Sequence, residues 1–250
     1  MKNARRCRLD ANSNIGKEVK EDHELAEDER ECQLEPWKIV GKSGCSAAVK
    51  ALHVGFKNIP QVFRDPYFVG RLMHLVSEIF KRCKEESGGN RSILFSRCRS
   101  LLATMRFNKK RLVVDWISYE LVIKHSEMRR EVTVSAKDLN ISKYVVSNGV
   151  THYRILSHLS IISDYAYIAK KQRYEPISMY NTMSAFAYSD YLPVWEKSSF
   201  EIVVSFPEGG VPSEDDSVIH CLGIELYGCS GLNRYYFYST GSGIRVEDIF

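Results

Sequence analysis

Two hydrophobic periods divide this chain. Up to about residue 110, apolar side chains recur every three or four positions, and beyond it every two. The strongest helical stripe is Val69, Leu72, Met73, Val76, Ile79, Phe80 and Cys83. Asp65 is placed to cap it, Pro66 occupies the first helical position and Gly88-Gly89 stops it, so a helix is predicted over 66–86 with Arg71 and His74 outside the stripe. Residues 46–57 predict a shorter helix, with Val49, Leu52, His53 and Phe56 on one face and Pro60 beyond its end. Residues 91–105 (RSILFSRCRSLLATM) predict a third, whose apolar side is Ile93, Leu94, Cys98, Leu101, Leu102 and Met105.

The second half reads as strands. LVVDWISYELVI (112–123) is rich in β-branched and aromatic residues, and EVTVS (131–135) alternates. In THYRILSHL (151–159), Tyr153 and Ile155 face opposite to His152 and Arg154. EIVVSF (201–206), SVIHCLGIELYG (217–228) and RYYFYST (234–240) follow, separated by Gly-, Pro- and Asn-rich turns. Short strands at this spacing with no helical pattern between them predict an antiparallel sandwich. The expectation is an α+β chain: a disordered charged tail over 1–36, a helical segment over 37–110, and an antiparallel β-sandwich, Ig-like or jelly-roll-like, over 111–250.

Charge sharpens this division. Residues 17–35 carry nine acids and three bases, whereas 71–111 carry eleven bases and three acids. The tail has too few large apolar residues to offset the entropy of ordering it. The basic stretch provides a candidate patch for an anionic partner: Lys81, Arg82, Lys84, Arg91, Arg97, Arg99, Arg106, Lys109, Lys110 and Arg111.

Several stretches resemble an uncharacterised family of bacterial proteins. They are RDPYFVGRLMHLV (64–76), GGNRSILFSRCRSLL (88–102) with the RFN that follows, GVTHYRI (149–155) and LGIELYG (222–228). The resemblance implies a helical N-terminal segment before a β-sandwich-like region. It brings no known activity and no catalytic or binding residue.

The motifs exclude more chemistry than they assign. Gly41-Lys42-Ser43 ends like a phosphate-binding loop, but the required first glycine is Pro36, which has no N–H to offer a phosphate. GKS is expected in a turn before a helix. The seven cysteines include no C-x-x-C, so neither a structural zinc site nor any other metal site is assigned. MKNARRCRLD lacks a signal-peptide core and no run is long enough to span a membrane, so a reducing cytoplasm is expected. No G-x-S-x-G elbow occurs, and neither a catalytic residue nor a cofactor is assigned. The carboxylates at Glu214-Asp215-Asp216 and Glu247-Asp248 read as solvated. An aromatic set, Tyr165, Tyr167, Tyr174, Tyr180, Tyr188, Tyr191 and Trp195, suits a protein or carbohydrate surface. The leading expectation is a non-enzymatic protein-interaction or assembly module, with another protein or a second copy as partner. The alternatives are a nucleic-acid-associated protein using the basic segment 71–111, and a hydrolase with an unrecognised site.

Overall fold

Two long strands, β4 (His152–Ser163) and β10 (Asp216–Ser230), organise the structure. They pair antiparallel from Asp216 opposite Ser163 to Tyr227 opposite His152, and both are buried along most of their length. Strands covered on both faces need apolar residues on both, which is why these two segments read as near-continuous apolar runs.

The computed structural model describes residues 36–86, 92–109, 113–145, 149–230 and 234–250. The chain divides into two compact units, Met1–Ile39 and Val40–Phe250. Of the first, only residues 36–39, the start of a helix, are described. Apart from Pro36, the tail expected over 1–36 lies outside the described residues.

In chain order the helices are α1 (Pro36–Gly55), α2 (Phe68–Glu86), α3 (Arg99–Leu102) and α4 (Val114–Ile117). The remaining strands are β1 (Ser92–Ile93), β2 (Val122–His125), β3 (Glu131–Leu139), β5 (Tyr165–Ile168), β6 (Arg173–Pro176), β7 (Ser184–Tyr188), β8 (Leu192–Pro193), β9 (Ser198–Ser205) and β11 (Arg234–Ile249). They form three antiparallel sheets: β11-β10-β4-β7 with β8 also on β4, β2-β3-β9, and β1-β5-β6. The α+β class is what the structure shows.

The central sheet has a different core on each face. Tyr153, Ile155, Leu159 and Ile161 of β4 join Val218, Leu222 and Ile224 of β10 against Val132, Val134, Ile202 and Val204 of the three-stranded sheet. On the other face Leu156, Ile162, Ile219 and Cys221 meet Leu52 of α1, Phe56 just beyond its end, and Leu72, Val76 and Ile79 of α2. Each such buried side chain contributes about 1.5–3 kcal/mol. Two glycines let α1 come close. A Cβ on Gly55 would lie 2.2 Å from Ser160 Oγ of β4, and one on Gly44 would lie 2.6 Å from the Tyr174 ring.

Several expectations need correction. Gly41-Lys42-Ser43 lies inside α1, not in a turn, so its backbone N–H groups are not arranged as a phosphate cradle. The stripe of α2 is rotated from the expected one: Phe68, Leu72, Val76, Ile79 and Cys83 are buried, while Val69 is 50% exposed. Residues 91–105 do not form one helix. Ser92 and Ile93 pair with β5, Ser96 binds buried Asp164 through its N–H (2.8 Å) and hydroxyl (2.5 Å), and only Arg99–Leu102 is helical. Tertiary partners outweigh local periodicity there. Residues 112–123 were expected to be a strand, but Val114 and Ile117 are buried at helical spacing in α4, and the strand begins at Val122.

Candidate functional site

The helices cover only part of the central sheet's face. Phe56, just beyond the end of α1, lies against His158, and Phe63, in the short 3-10 turn Gln61–Phe63, lies 6.2 Å from Phe237 of β11. Beyond Phe63 the face is aromatic. Strand register builds it: Tyr227 sits opposite both His152 and Phe237, Glu225 opposite Arg154, and Tyr188 opposite Leu156. Leu156 belongs to the helix-side core, and alternation puts Arg154, Glu225 and Tyr227 on that same side.

Contacts between these side chains fix the surface. Tyr191 stacks on Tyr235 with ring centroids 3.9 Å apart and planes 2° from parallel. Tyr191 also lies nearly perpendicular to Tyr227 with centroids 5.0 Å apart, Tyr227 meets Phe237 at 5.8 Å, and His152 meets Tyr235 at 5.1 Å. The Arg154 guanidinium lies over the Tyr188 ring at 4.2 Å and the Tyr191 ring at 4.8 Å, and its Nε–H donates to Ser189 O at 3.1 Å. Tyr191 remains 37% exposed and Phe237 39%.

Glu225, only 6% exposed, is the polar centre of this face. Its Oε1 accepts from Tyr188 Oη at 3.2 Å and its Oε2 from Tyr227 Oη at 2.6 Å. Burial and the adjacent Glu225 push the Tyr188 phenol up to about 12, and the same two causes push Tyr227 upward. Both phenols are therefore protonated donors at neutral pH, not bases. The arrangement is an interlocked aromatic surface with a satisfied buried carboxylate.

A second polar group lies between the sheets and resembles a hydrolytic pair. Ser157 Oγ and His220 Nε2 are 3.0 Å apart. Both residues are fully buried, so no substrate carbonyl has access to the hydroxyl. Burial, with His125 and His158 nearby, depresses His220 to about 3, leaving a neutral ring that bonds to Ser157. His158, on the other face, is held down to about 4 by burial and the Arg64 guanidinium. No group of three or more potential metal ligands occurs among the described residues. A cleft of about 510 Å³ lies at the free edge of β11, lined by Arg106, Asn108, Trp116, Tyr119 and Arg245, among others.

The predicted basic patch is only partly a free surface. Arg99 Nη2 donates to Asp216 O at 3.1 Å, and Lys81 pairs with Glu78 at 2.7 Å. Arg82, Arg97, Arg106 and Lys109 are exposed. The Lys84 side chain and Arg91, Lys110 and Arg111 lie outside the described residues. The predicted aromatic set divides: Tyr165 and Tyr174 are buried in the helix-side core, Tyr188 and Tyr191 join the surface above, and Trp195 is 63% exposed. The acidic runs are not wholly solvated either. Asp216 is fully buried and accepts from Ser213 N and Oγ, both at 2.9 Å, and burial raises Glu247.

Arg154, Glu225, Tyr227, Tyr235 and Phe237 were missed as site residues. Their one signal in the sequence is polarity: Arg154 and Glu225 interrupt apolar strands. That these two stand side by side follows only from the strand register. Comparison with protein-family models, curated proteins and solved structures finds no match.

Proposed function

We propose that this chain is a protein-binding module built on an antiparallel β-sandwich, with the aromatic face around Arg154 as its contact surface. The observation that carries this reading is the cluster of Arg154, Tyr188, Tyr191, Tyr227 and Tyr235 on a part of the central sheet that the helices leave open. Tyrosine and arginine dominate binding hot spots because they bring large contact area and polar specificity together. Mutual stacking has already restricted these side chains, which lowers the entropy cost of docking. Cys45, Cys83, Cys98, Cys221 and Cys229 are all thiols, which suits a reducing compartment such as the cytoplasm.

The test is affinity capture from the native host with wild-type protein and with a Tyr191→Ala, Tyr235→Ala double variant, followed by titration of the recovered partner in purified form. The reading predicts a partner whose affinity falls at least about a hundredfold in the double variant, or about 2.8 kcal/mol, within the hot-spot range. A partner that binds both proteins equally would place the contact surface elsewhere.

A further inference from the structure

We propose that Arg154 is a carboxylate receptor: its terminal nitrogens take, in two parallel hydrogen bonds, an Asp or Glu side chain of the protein that docks on the aromatic face. The proposal rests on the protein-binding reading above and names the group that the partner must present.

Three observations support it. First, the guanidinium is immobilised. The Tyr188 and Tyr191 rings pack on it at 4.2 and 4.8 Å, and its Nε–H is anchored on Ser189 O at 3.1 Å. Second, its other donors are idle. Of the five N–H groups of an arginine, only the Nε–H has a hydrogen-bond acceptor among the described residues. Third, the natural internal partner is occupied. Glu225 lies directly opposite Arg154 in the strand pair, yet both its oxygens are taken by Tyr188 and Tyr227, and it forms no ion pair with Arg154. A half-buried cation that passes over the carboxylate directly opposite it is preorganised for an external one.

The geometry also selects the anion. Ring packing and the Nε anchor fix the guanidinium plane, so the free donors form the in-plane fork that matches a planar carboxylate. A phosphate dianion would bring a second negative charge beside buried Glu225 and would meet more repulsion. The surface is an open sheet face, unlike the backbone nests that capture chain-terminal carboxylates, which favours a side-chain group.

The test is an NMR titration of the full chain, following the Arg154 Nε–H signal, with N-acetyl-glutamate-N-methylamide, its glutamine counterpart and inorganic phosphate at matched ionic strength. The glutamate probe is expected to shift the signal saturably, the glutamine and phosphate probes at least about tenfold more weakly, which corresponds to about 1.4 kcal/mol. Arg154→Lys keeps the charge but loses the fork, and should weaken the glutamate probe about tenfold, read on the Tyr191 and Tyr227 amides. Glu225→Gln should improve phosphate binding. Unchanged β3 and β9 amides certify the fold of each variant. No saturable shift, equal shifts with the glutamine probe, or wild-type affinity in Arg154→Lys overturns the proposal. The titration needs no partner protein, so its outcome is separate from that of the capture experiment. Saturable glutamate binding stands even where the tyrosine double variant keeps its partner, a result that would overturn only the reading of the whole face.

Discussion

Replacing Arg71 by alanine tests how the helical layer is tied together. Periodicity places Arg71 off the apolar stripe of α2, where a solvated side chain would change stability by no more than about 0.5 kcal/mol. The structure gives it four hydrogen bonds: to Asp65 Oδ1 at 2.8 Å, to Arg106 O at 3.0 and 3.3 Å, and to Phe107 O at 3.0 Å. One side chain thus joins the start of α2 to the 106–107 segment. Its side chain is 25% exposed, so water replaces part of what is lost. Charge-assisted hydrogen bonds contribute about 1.5–3 kcal/mol each when fully protected. Discounted for solvent, Arg71→Ala should cost about 1–3 kcal/mol in total. Urea unfolding at pH 7 measures this from the shift in midpoint at constant slope. There is also a pH signature. The Arg71 hydrogen bond is the main cause that holds the Asp65 carboxyl below its usual value. Its stabilisation is therefore complete above the ordinary carboxylate range and is lost as pH falls through the depressed value. The gap between wild type and variant should narrow in that acid range. A cost within about 0.5 kcal/mol, or a gap that does not narrow, would refute the clamp.

Leu72, 1% exposed in the helix-side core, should cost about 2–5 kcal/mol as Leu72→Ala, and a cost like that of a surface change would mean the α2 face is not packed as described. Tyr227→Phe removes the shorter of the two phenol bonds to buried Glu225 and should cost about 1–3 kcal/mol, most of it restored by adding Glu225→Gln, both read by denaturant unfolding. His158 and His220 are neutral in the fold, with values depressed to about 4 and about 3. Below pH 6.5 the unfolded chain takes up protons that the folded one refuses, so their contribution is complete above about 6.5 and declines towards 4 and 3. Thermal unfolding from pH 7.5 to 4 should show a fall that His158→Phe reduces, and an identical slope in the variant would contradict a buried neutral ring.

The α2 helix and strands β3 and β9 were legible because their patterns follow from a single buried stripe or face, and β4 and β10, covered on both faces, were legible as near-continuous apolar runs. Other segments were not. Residues 91–105 carry a helical pattern, but Ser96 is drawn to Asp164, 68 positions away, and such a partner leaves no local trace. Residues 112–123 are apolar enough for either strand or helix, and only the core around Val114 and Ile117 decides between them. The candidate site was partly visible as tyrosines at 188 and 191. Its centre was hidden because Arg154 and Glu225 are 71 positions apart and meet through strand register, which one sequence does not print. Within the basic run, charge alone did not reveal that Arg99 turns to Asp216 O while Arg82, Arg97, Arg106 and Lys109 stay exposed.

Site-specific photo-crosslinking tests the central claim most directly. Phe237 of the aromatic face and Tyr119 at the β11 edge cleft would each be replaced, in separate proteins, by p-benzoylphenylalanine and irradiated in native-host extract. The account predicts a discrete protein adduct from position 237, suppressed by Tyr191→Ala, Tyr235→Ala in the same chain, and none from position 119. An adduct from position 119 alone, or one from 237 that survives loss of both tyrosines, would contradict it.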